Sequence, residues 1–180
     1  TLPDGDCVNL WMGRGFHAVH YPVGKQRRLN IVLVAHEGQA PDEIAEQCCA
    51  VLQDILQPVP SWLPWEARHV PVLESWVKGR VLLLGDAAHG TVPYFAQGSA
   101  MALEDAALLA DILDEAGDLA ANFARFNERM DRVRAVHQAS VRQGRIYSAS
   151  GPVAVARNMV LRLMPEEKFL QQLSWIYKHG

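Results

Sequence analysis

The residues with the clearest capacity for chemistry follow the apolar run Val81–Leu84. The turn Gly85–Ala88 comes directly after it and consists of small side chains around one carboxylate. Such a turn would let a bulky ligand approach the backbone closely. Asp86 comes just past the end of the predicted strand, where ligands bind in open α/β sheets, so its carboxylate could accept hydrogen bonds from sugar-like hydroxyls.

A predicted helix start at Gly98–Ala100 forms the second chemical feature. Ser99 is a good N-cap residue, and the sequence predicts a helix from there to about Leu113. The first N–H groups of a helix have no partner inside it. They favour an anion or a developing negative charge by roughly 0.3–1 kcal/mol when exposed, and by up to about 2 kcal/mol when partly buried.

The third feature is a pair of polar side chains on one face of a predicted strand near the N-terminus. Alternate residues of a strand share a face, so His17, Val19 and Tyr21 would point one way and Ala18 and His20 the other. A phenol is a better nucleophile as a phenolate. A histidine and a tyrosine on one sheet face could bind and deprotonate it.

Strands come first in the chain and helices follow. The first three predicted strands are joined by short turns and predict an antiparallel meander. Val81–Leu84 is continuously apolar and predicts a strand buried on both faces, of the parallel type. The order indicates α+β, or part of a mixed α/β protein. Strands are predicted at 7–12, 16–23, 28–35, 67–72 and 81–84, a loop at 86–98, and helices at 41–56, 99–113, 119–147, 153–163 and 166–177.

Two of the predicted helices carry an apolar stripe at three- and four-residue spacing. The stripe of the 119–147 helix predicts its buried side, and its arginines predict a solvated face. Gly151–Pro152 is expected to break that helix. The stripe residues are Ile44, Val51 and Ile55 in the first helix and Phe123, Phe126, Met130, Val133 and His137 in the second, and the arginines are Arg125, Arg129, Arg132 and Arg134.

The segment Gly79–His89, GRVLLLGDAAH, followed by Pro93–Tyr94, Ala96–Gln97–Gly98 and Glu104–Asp105–Ala106, resembles the second flavin-binding motif of single-component FAD-dependent aromatic hydroxylases. Within that family it is most similar to the salicylate and hydroxybenzoate hydroxylase branch. The resemblance continues over nearly the whole chain. Its further segments are Gly15–His17–Tyr21–Pro22, Gly144–Arg145–Ile146–Tyr147, Ser150–Gly151–Pro152 and Ala156–Arg157–Asn158.

For the cofactor, the resemblance implies FAD, with NADH or NADPH as co-substrate. Asp86 would bond the ribityl or ribose hydroxyls, beside Gly85 and Ala87. The helix start would lie at the flavin pyrimidine edge and stabilise the anionic reduced flavin. Its implied residues are Gly98, Ser99, Ala100 and Met101.

For the substrate, the resemblance implies a small phenolic or N-heteroaromatic acid, hydroxylated by a flavin C4a-hydroperoxide formed with O2. His17, Tyr21 and Gln97 would be the catalytic residues that bind, orient and deprotonate it. Pro93 and Val19 would line its pocket.

The resemblance divides the chain into part of a substrate-binding sheet domain (1–75), the second FAD-binding motif (76–115) and C-terminal helices (116–180). The family's other motif, a GxGxxG that cradles the pyrophosphate, is absent from the sequence, and Gly13–Gly15 is only a GxG in a predicted turn. The first residue, Thr1, also favours a fragment. We therefore expect a fragment that is inactive alone, whose N-terminal half was lost or is a separate polypeptide.

Two alternatives remain open at this stage. The chain could be a non-catalytic remnant or interaction module that retains part of the fold, which the missing pyrophosphate motif favours. It could also belong to an FAD enzyme of different oxidative chemistry, such as epoxidation or dehydrogenation. For His89, inside the motif, a structural role near the strand end is favoured over acid–base work.

The composition argues against several kinds of binding partner. The net charge of −3 gives no electrostatic reason to expect nucleic acid, and no apolar run is long enough for a membrane span. The three cysteines form neither a disulfide framework nor a metal motif, so a cytoplasmic protein without a metal site is expected. A homodimer is a further expectation from the resemblance.

Overall fold

The structure is a computed structural model that describes residues 7–24 and 28–177, so Thr1 and its neighbours lie outside the described residues. The chain forms two compact units. We call residues 1–64 with 145–180 the sheet unit, and residues 65–144 the middle unit. Antiparallel sheets and helices together confirm the α+β class. In the part described, no helix is both long and apolar enough to cross a bilayer.

The sheet unit begins with the predicted antiparallel meander. Its strands are β1 (Asn9–Met12), β2 (Phe16–Val23) and β3 (Arg28–Ala35), with β2 in the centre. The pairing runs without a break from Phe16 opposite Ala35 to Val23 opposite Arg28. Because this register is continuous, alternate side chains of β2 point to opposite faces, as the sequence predicts.

One face of the meander packs against α2 (Ala50–Leu56), which follows α1 (Pro41–Glu46). Ala18 of β2 is buried at this contact, where a small side chain lets the helix approach the strand. Each buried aliphatic side chain contributes about 1.5–3 kcal/mol. The helix side of this core consists of Leu52, Ile55 and Leu56.

The prediction of one continuous helix over 41–56 is wrong. Cys49 is extended, at φ −69° and ψ 157°, and separates α1 from α2. The break changes which residues of the second helix face inward. Ile44 and Ile55 are buried as predicted, but Val51 is exposed.

Helices α7 (Gly151–Leu163) and α8 (Glu166–Tyr177) complete the sheet unit. Arg157 connects α7 to the end of the helix Met130–Tyr147, which precedes it in the chain. Its Nη1 donates to the carbonyls of Ile146 at 3.0 Å and Tyr147 at 2.8 Å. Carbonyls at a helix end lack partners within the helix, and a guanidinium satisfies them. Gly151–Pro152 opens α7, because proline suits a first helical turn.

The middle unit corrects the prediction for Val81–Leu84. Its strand β5 (Val81–Leu82) pairs antiparallel with β4 (Val77–Lys78), and Val81 is 64% exposed. A continuous apolar run indicates burial but does not specify a partner. Here Gly79, at φ 58°, forms a tight turn that brings the adjacent segment alongside. Residues 67–72 form no strand.

Four helices surround the core of the middle unit. The predicted loop 86–98 contains a short helix and a 3₁₀ turn, and the predicted 119–147 helix is interrupted by a second 3₁₀ turn. In that interruption Asn127 Oδ1 accepts the N–H of Trp76 at 3.1 Å. The spacing of apolar residues along the sequence does not predict such a tertiary hydrogen bond. The elements are α3 (Asp86–His89), a turn at Pro93–Phe95, α4 (Gly98–Asp114), α5 (Leu119–Ala124), a turn at Arg125–Arg129 and α6 (Met130–Tyr147).

The apolar stripe of the 119–147 segment is buried despite the interruption. Phe126 is fully buried and contacts Trp76 edge-on, with ring centroids 6.5 Å apart. The rest of this cluster includes Met101, Ile112, Phe123, Met130 and Val133.

We expect Phe126→Ala to lower the free energy of unfolding by about 3–5 kcal/mol, because it removes a buried ring and leaves a cavity. Leu103→Ala is the matched control, since Leu103 is 73% exposed and its loss should change stability by less than about 0.5 kcal/mol. Chemical denaturation followed by circular dichroism measures both. Equal effects of the two substitutions would contradict this description of the core.

Candidate functional site

The turn after β5 is a tight corner at Gly85. Its φ of 54° and ψ of −136° are accessible to glycine and strained for other residues. The carbonyl of Gly85 accepts the N–H groups of Ala88 at 3.0 Å and His89 at 2.9 Å, which begins α3. Asp86 and Ala87 are exposed on this corner. The corner therefore offers a carboxylate and little side-chain bulk.

Asp105 on α4 holds the corner. Its Oδ2 accepts the N–H of Gly85 at 2.9 Å and lies 2.7 Å from His89 Nε2. Both side chains of that second pair are about 1% exposed. A Cβ on Gly85 would lie 3.6 Å from Ala102 Cβ, an ordinary contact. The corner and α4 therefore pack directly against each other, and the buried His89 supports the expectation of a structural role.

The N-terminus of α4 is open. The helix begins at Gly98 after Gln97, and no described side chain caps it, so Ser99 is not the N-cap. The N–H of Met101 bonds the Gln97 carbonyl at 2.9 Å. Earlier N–H groups have no carbonyl within the helix to bond. A Cβ on Gly98 would meet nothing within 4 Å, so a side chain at this position would have open space.

A short segment, residues 92–97, leads into this helix start. Its Ala96 has φ 53°, and in the described residues it is the one non-glycine residue with positive φ. Such backbone costs of order 1–2 kcal/mol and persists where surrounding contacts impose it. Gln97 is buried, and its side-chain amide donates to the Phe95 carbonyl at 3.3 Å. Pro93 is exposed.

Two residues of α6 fix that segment. Ser140 Oγ donates to the Val92 carbonyl at 2.7 Å. Tyr94 lies against Gly144, where a Cβ would be only 2.3 Å from Tyr94 Cε2. Burial at this contact raises the pKa of the Tyr94 hydroxyl. The segment is therefore positioned by tertiary contacts rather than by its own sequence.

The prediction that four arginines form a solvated face is wrong for two of them. Arg129 donates from Nη2 to Glu104 Oε2 at 2.9 Å and to the Met101 carbonyl at 3.2 Å. Arg132 pairs with Glu104 at 3.1 Å. These two guanidiniums are only 15% and 20% exposed. They turn inward because Glu104–Asp105 provides buried negative charge.

The charges of this network are mutually supporting. Burial by itself opposes the charge of Asp105, but hydrogen bonds from His89 and Gly85, and the charges of His89 and Arg129, outweigh it and lower the pKa of its carboxyl. The pKa of the Glu104 carboxyl is lowered in the same way. Burial opposes its charge, while Arg132 and Arg129 lower its pKa. Both carboxyls are therefore ionised at neutral pH.

In the sheet unit, the predicted strand face carries His17, Val19 and Tyr21. The His17 ring is 1% exposed, and its Nδ1 lies 2.8 Å from Ser148 Oγ. Tyr147 meets the ring edge-on, with centroids 5.5 Å apart. Burial lowers the pKa of His17 to about 4, so the ring is neutral at pH 7. Val19 and Tyr21 are half-buried.

The structure thus brings the predicted cofactor residues together in the middle unit. The predicted substrate residues divide, with His17, Val19 and Tyr21 in the sheet unit and Pro93 and Gln97 in the middle unit. Sequence reasoning missed three residues that shape these sites. Asp105 stands in the Glu104–Asp105–Ala106 segment of the flavin-binding motif, but no role was predicted for it. No feature of the sequence indicated a role for Arg129 or Ser148 at these sites. All three are 20 or more positions from their partners Gly85, Met101 and His17.

Comparison with known proteins identifies the family that the chain matches. Residues 25–143 match a family described as "FAD binding domain". The chain is 31% identical to 3-hydroxybenzoate 6-hydroxylase of Klebsiella oxytoca over 98% of its own length and 49% of that protein. It is 33% identical to 6-hydroxynicotinate 3-monooxygenase of Bordetella bronchiseptica over 76% of its length and 40% of that protein. The chain thus spans about half the length of the curated relatives it matches.

Solved structures show the same fold. HpxO of Klebsiella pneumoniae, complexed with FAD and uric acid, superposes with a TM-score of 0.81 at 24% identity, over 96% of this chain and 48% of that one. A salicylate hydroxylase substrate complex gives 0.76 at 22% identity, over 98% and 48%.

We expect Gly144→Ala to destabilise the protein by about 1–3 kcal/mol, because the new methyl group clashes with the Tyr94 ring. In a helix without this contact, replacing glycine by alanine would stabilise the protein by about 1 kcal/mol. The sign of the measured change in the free energy of unfolding therefore shows whether the clash exists. Adding Tyr94→Ala should recover part of the loss, as a double-mutant cycle measured by chemical denaturation. Gly98→Ala, which has open space around it, is the control and should not destabilise.

Stability should also fall in acid through His17. Its folded pKa of about 4 lies below the unfolded value of 6.5, so the unfolded state binds more protons between these values. The contribution, up to about 3 kcal/mol, is present above pH 6.5 and is lost as pH falls towards 4. Unfolding free energies at pH 5 and pH 8 should differ less in His17→Gln than in the unsubstituted protein. An unchanged difference would refute the assignment to His17.

Proposed function

We propose, from the premise that this chain belongs to the FAD binding domain family, that it forms the flavin-contacting part of an FAD-dependent aromatic-ring monooxygenase. The observation that carries the proposal is the direct packing of the Gly85 corner against α4, whose N-terminus is open. A cradle with an exposed carboxylate and free helix N–H groups suits a polar, flat nucleotide such as a flavin.

Within this cradle, Gly85, Asp86 and Ala87 would contact the sugar-like part of FAD. The exposed Asp86 carboxylate can accept hydrogen bonds from ribityl or ribose hydroxyls, and the small neighbours leave room for close approach. The N–H groups of the α4 start would face the flavin pyrimidine edge, where their dipole stabilises negative charge. The N–H groups that precede the first bond of the helix belong to Gly98, Ser99 and Ala100. Met101, whose N–H bonds the Gln97 carbonyl, would contact the cofactor beside them.

When bound and reduced by NADH or NADPH, FAD would supply the activation of O2 from which one oxygen atom reaches the aromatic ring. The chain's own residues would orient and polarise that ring. Gln97 directly precedes the helix start and follows the left-handed Ala96, and Pro93 begins the 3₁₀ turn before them. Gln97 would orient the substrate, and Pro93 would line its pocket. Val19 belongs to the sheet unit, and its contact with substrate stays a separate prediction.

Within the sheet unit, His17 would act on the phenolic proton once its buried ring becomes accessible to a phenol, with Tyr21 as a second contact. Because its pKa is about 4, the ring is neutral and able to share a proton, but it is too weak a base to remove the proton of an ordinary phenol completely. We therefore assign it as a hydrogen-bond acceptor that raises electron density on the substrate. Its Nδ1 contact with Ser148 restricts the ring orientation.

The substrate class follows from the curated relatives, which are named for 3-hydroxybenzoate and 6-hydroxynicotinate. We propose that the substrate is a small phenolic or N-heteroaromatic acid, that O2 is the co-substrate, and that the enzyme is cytoplasmic. The sequence contains no GxGxxG, so another stretch of polypeptide would bind the pyrophosphate, and the 180 residues alone would be inactive. A homodimer is also proposed. The division into 1–75, 76–115 and 116–180 remains a prediction about roles.

The test uses the complete coding sequence that contains this chain. We expect the purified protein to show flavin absorbance and to oxidise NADH or NADPH faster when 3-hydroxybenzoate, salicylate or 6-hydroxynicotinate is added. Product mass under ¹⁸O₂ should rise by one oxygen atom. Benzoate, which lacks the hydroxyl, is the matched control and should not be hydroxylated.

Absence of bound flavin would contradict the proposal and support a remnant that retains only the fold. Bound flavin with turnover but no incorporation of oxygen from O2 would instead indicate a different oxidative chemistry on the same scaffold.

A further inference from the structure

We infer that Asp105 is a positioning residue of the flavin cradle, fixing the spacing between the Gly85 corner and the α4 N-terminus. The inference rests on the proposed function. Asp105 is 1% exposed, so it would affect the cofactor indirectly, by holding the residues that contact the cofactor.

Asp105 reaches the corner at two points with one carboxylate oxygen. Oδ2 accepts the backbone N–H of Gly85 and lies 2.7 Å from His89 Nε2. Those two residues are the ends of the turn that carries Asp86 and Ala87. Because both ends are bonded to the same oxygen, the turn cannot move relative to α4 without breaking a buried, charge-assisted hydrogen bond.

The same side chain is coupled to the helix start through Arg129. Arg129 Nε lies 3.1 Å from Asp105 Oδ1, and its Nη2 donates to the Met101 carbonyl in the first turn of α4. Asp105 itself is seven positions along from Gly98, about two turns into the helix. The corner, the carboxylate and the helix start are therefore one connected polar assembly.

The charge of Asp105 is needed for this role. It pairs with Arg129, which also binds the helix start, and it accepts from two donors. An amide of the same shape could still accept from Gly85, but it would leave Arg129 with a weaker partner. Asp105→Asn therefore tests positioning with little change in volume.

Glu104 supplies a matched control. It is the preceding residue of the same helix and pairs with Arg129 and Arg132, but its described hydrogen bonds do not include the corner. Glu104→Gln removes one negative charge from the same network. The two variants thus differ in their bonds to Gly85 and His89.

The experiment measures dissociation constants for FAD and for ADP with the complete protein after removal of bound FAD, by flavin fluorescence and calorimetry. ADP carries the adenosine and pyrophosphate but lacks both the ribityl chain and the isoalloxazine ring, so the comparison takes the ribityl hydroxyls as the partners of Asp86. For Asp105→Asn we expect at least a tenfold weaker affinity for FAD and less than a twofold change for ADP. For Glu104→Gln both affinities should stay within about twofold. Retained FAD affinity in Asp105→Asn, or parallel losses for both ligands or in both variants, would overturn the inference.

If Asp105→Asn does not fold, His89→Gln removes one of the two corner bonds and should weaken FAD selectively in the same way. If the complete unsubstituted protein binds no FAD, the proposed function fails. Binding by that protein with unaltered variants would be a failure of the positioning role alone.

Discussion

A buried carboxylate is the constraint on which the middle unit depends. Removing a charge from water is costly, and Asp105 compensates through two hydrogen-bond donors and one guanidinium. The partners come from two parts of the chain: the turn from Gly85 to His89, and the 3₁₀ turn before α6. The need to satisfy one ion therefore determines how these elements meet.

The same principle explains features that otherwise look unrelated. Arg129 and Arg132 leave solvent because Glu104 and Asp105 lie where the arginines can reach them. The interruption of the predicted 119–147 helix falls at the residues that carry Asn127 and Arg129. There Asn127 accepts the N–H of Trp76, and Arg129 donates to Glu104 and to the Met101 carbonyl.

The sheet unit is organised differently, around an apolar contact between Ala18 and α2. On the opposite face of β2, His17 is buried beside Ser148 and Tyr147. Burial keeps its imidazole neutral, which suits an acceptor of a shared proton better than a strong base. The two units thus use polarity in opposite ways: one stabilises buried ions, and the other keeps a titratable ring uncharged.

The sequence alone determined the meander, the strand face of His17 and Tyr21, the corner at Gly85 and the α4 helix, because each follows from local periodicity or from small residues in a turn. It did not determine the pairing of Val81–Leu82, the break at Cys49, the helix start at Gly98 or the partners of Arg129 and Asp105. Those features depend on residues far apart in the chain, whose bonds exist only once the chain has folded. Local propensity cannot register them, because their free energy comes from tertiary contacts.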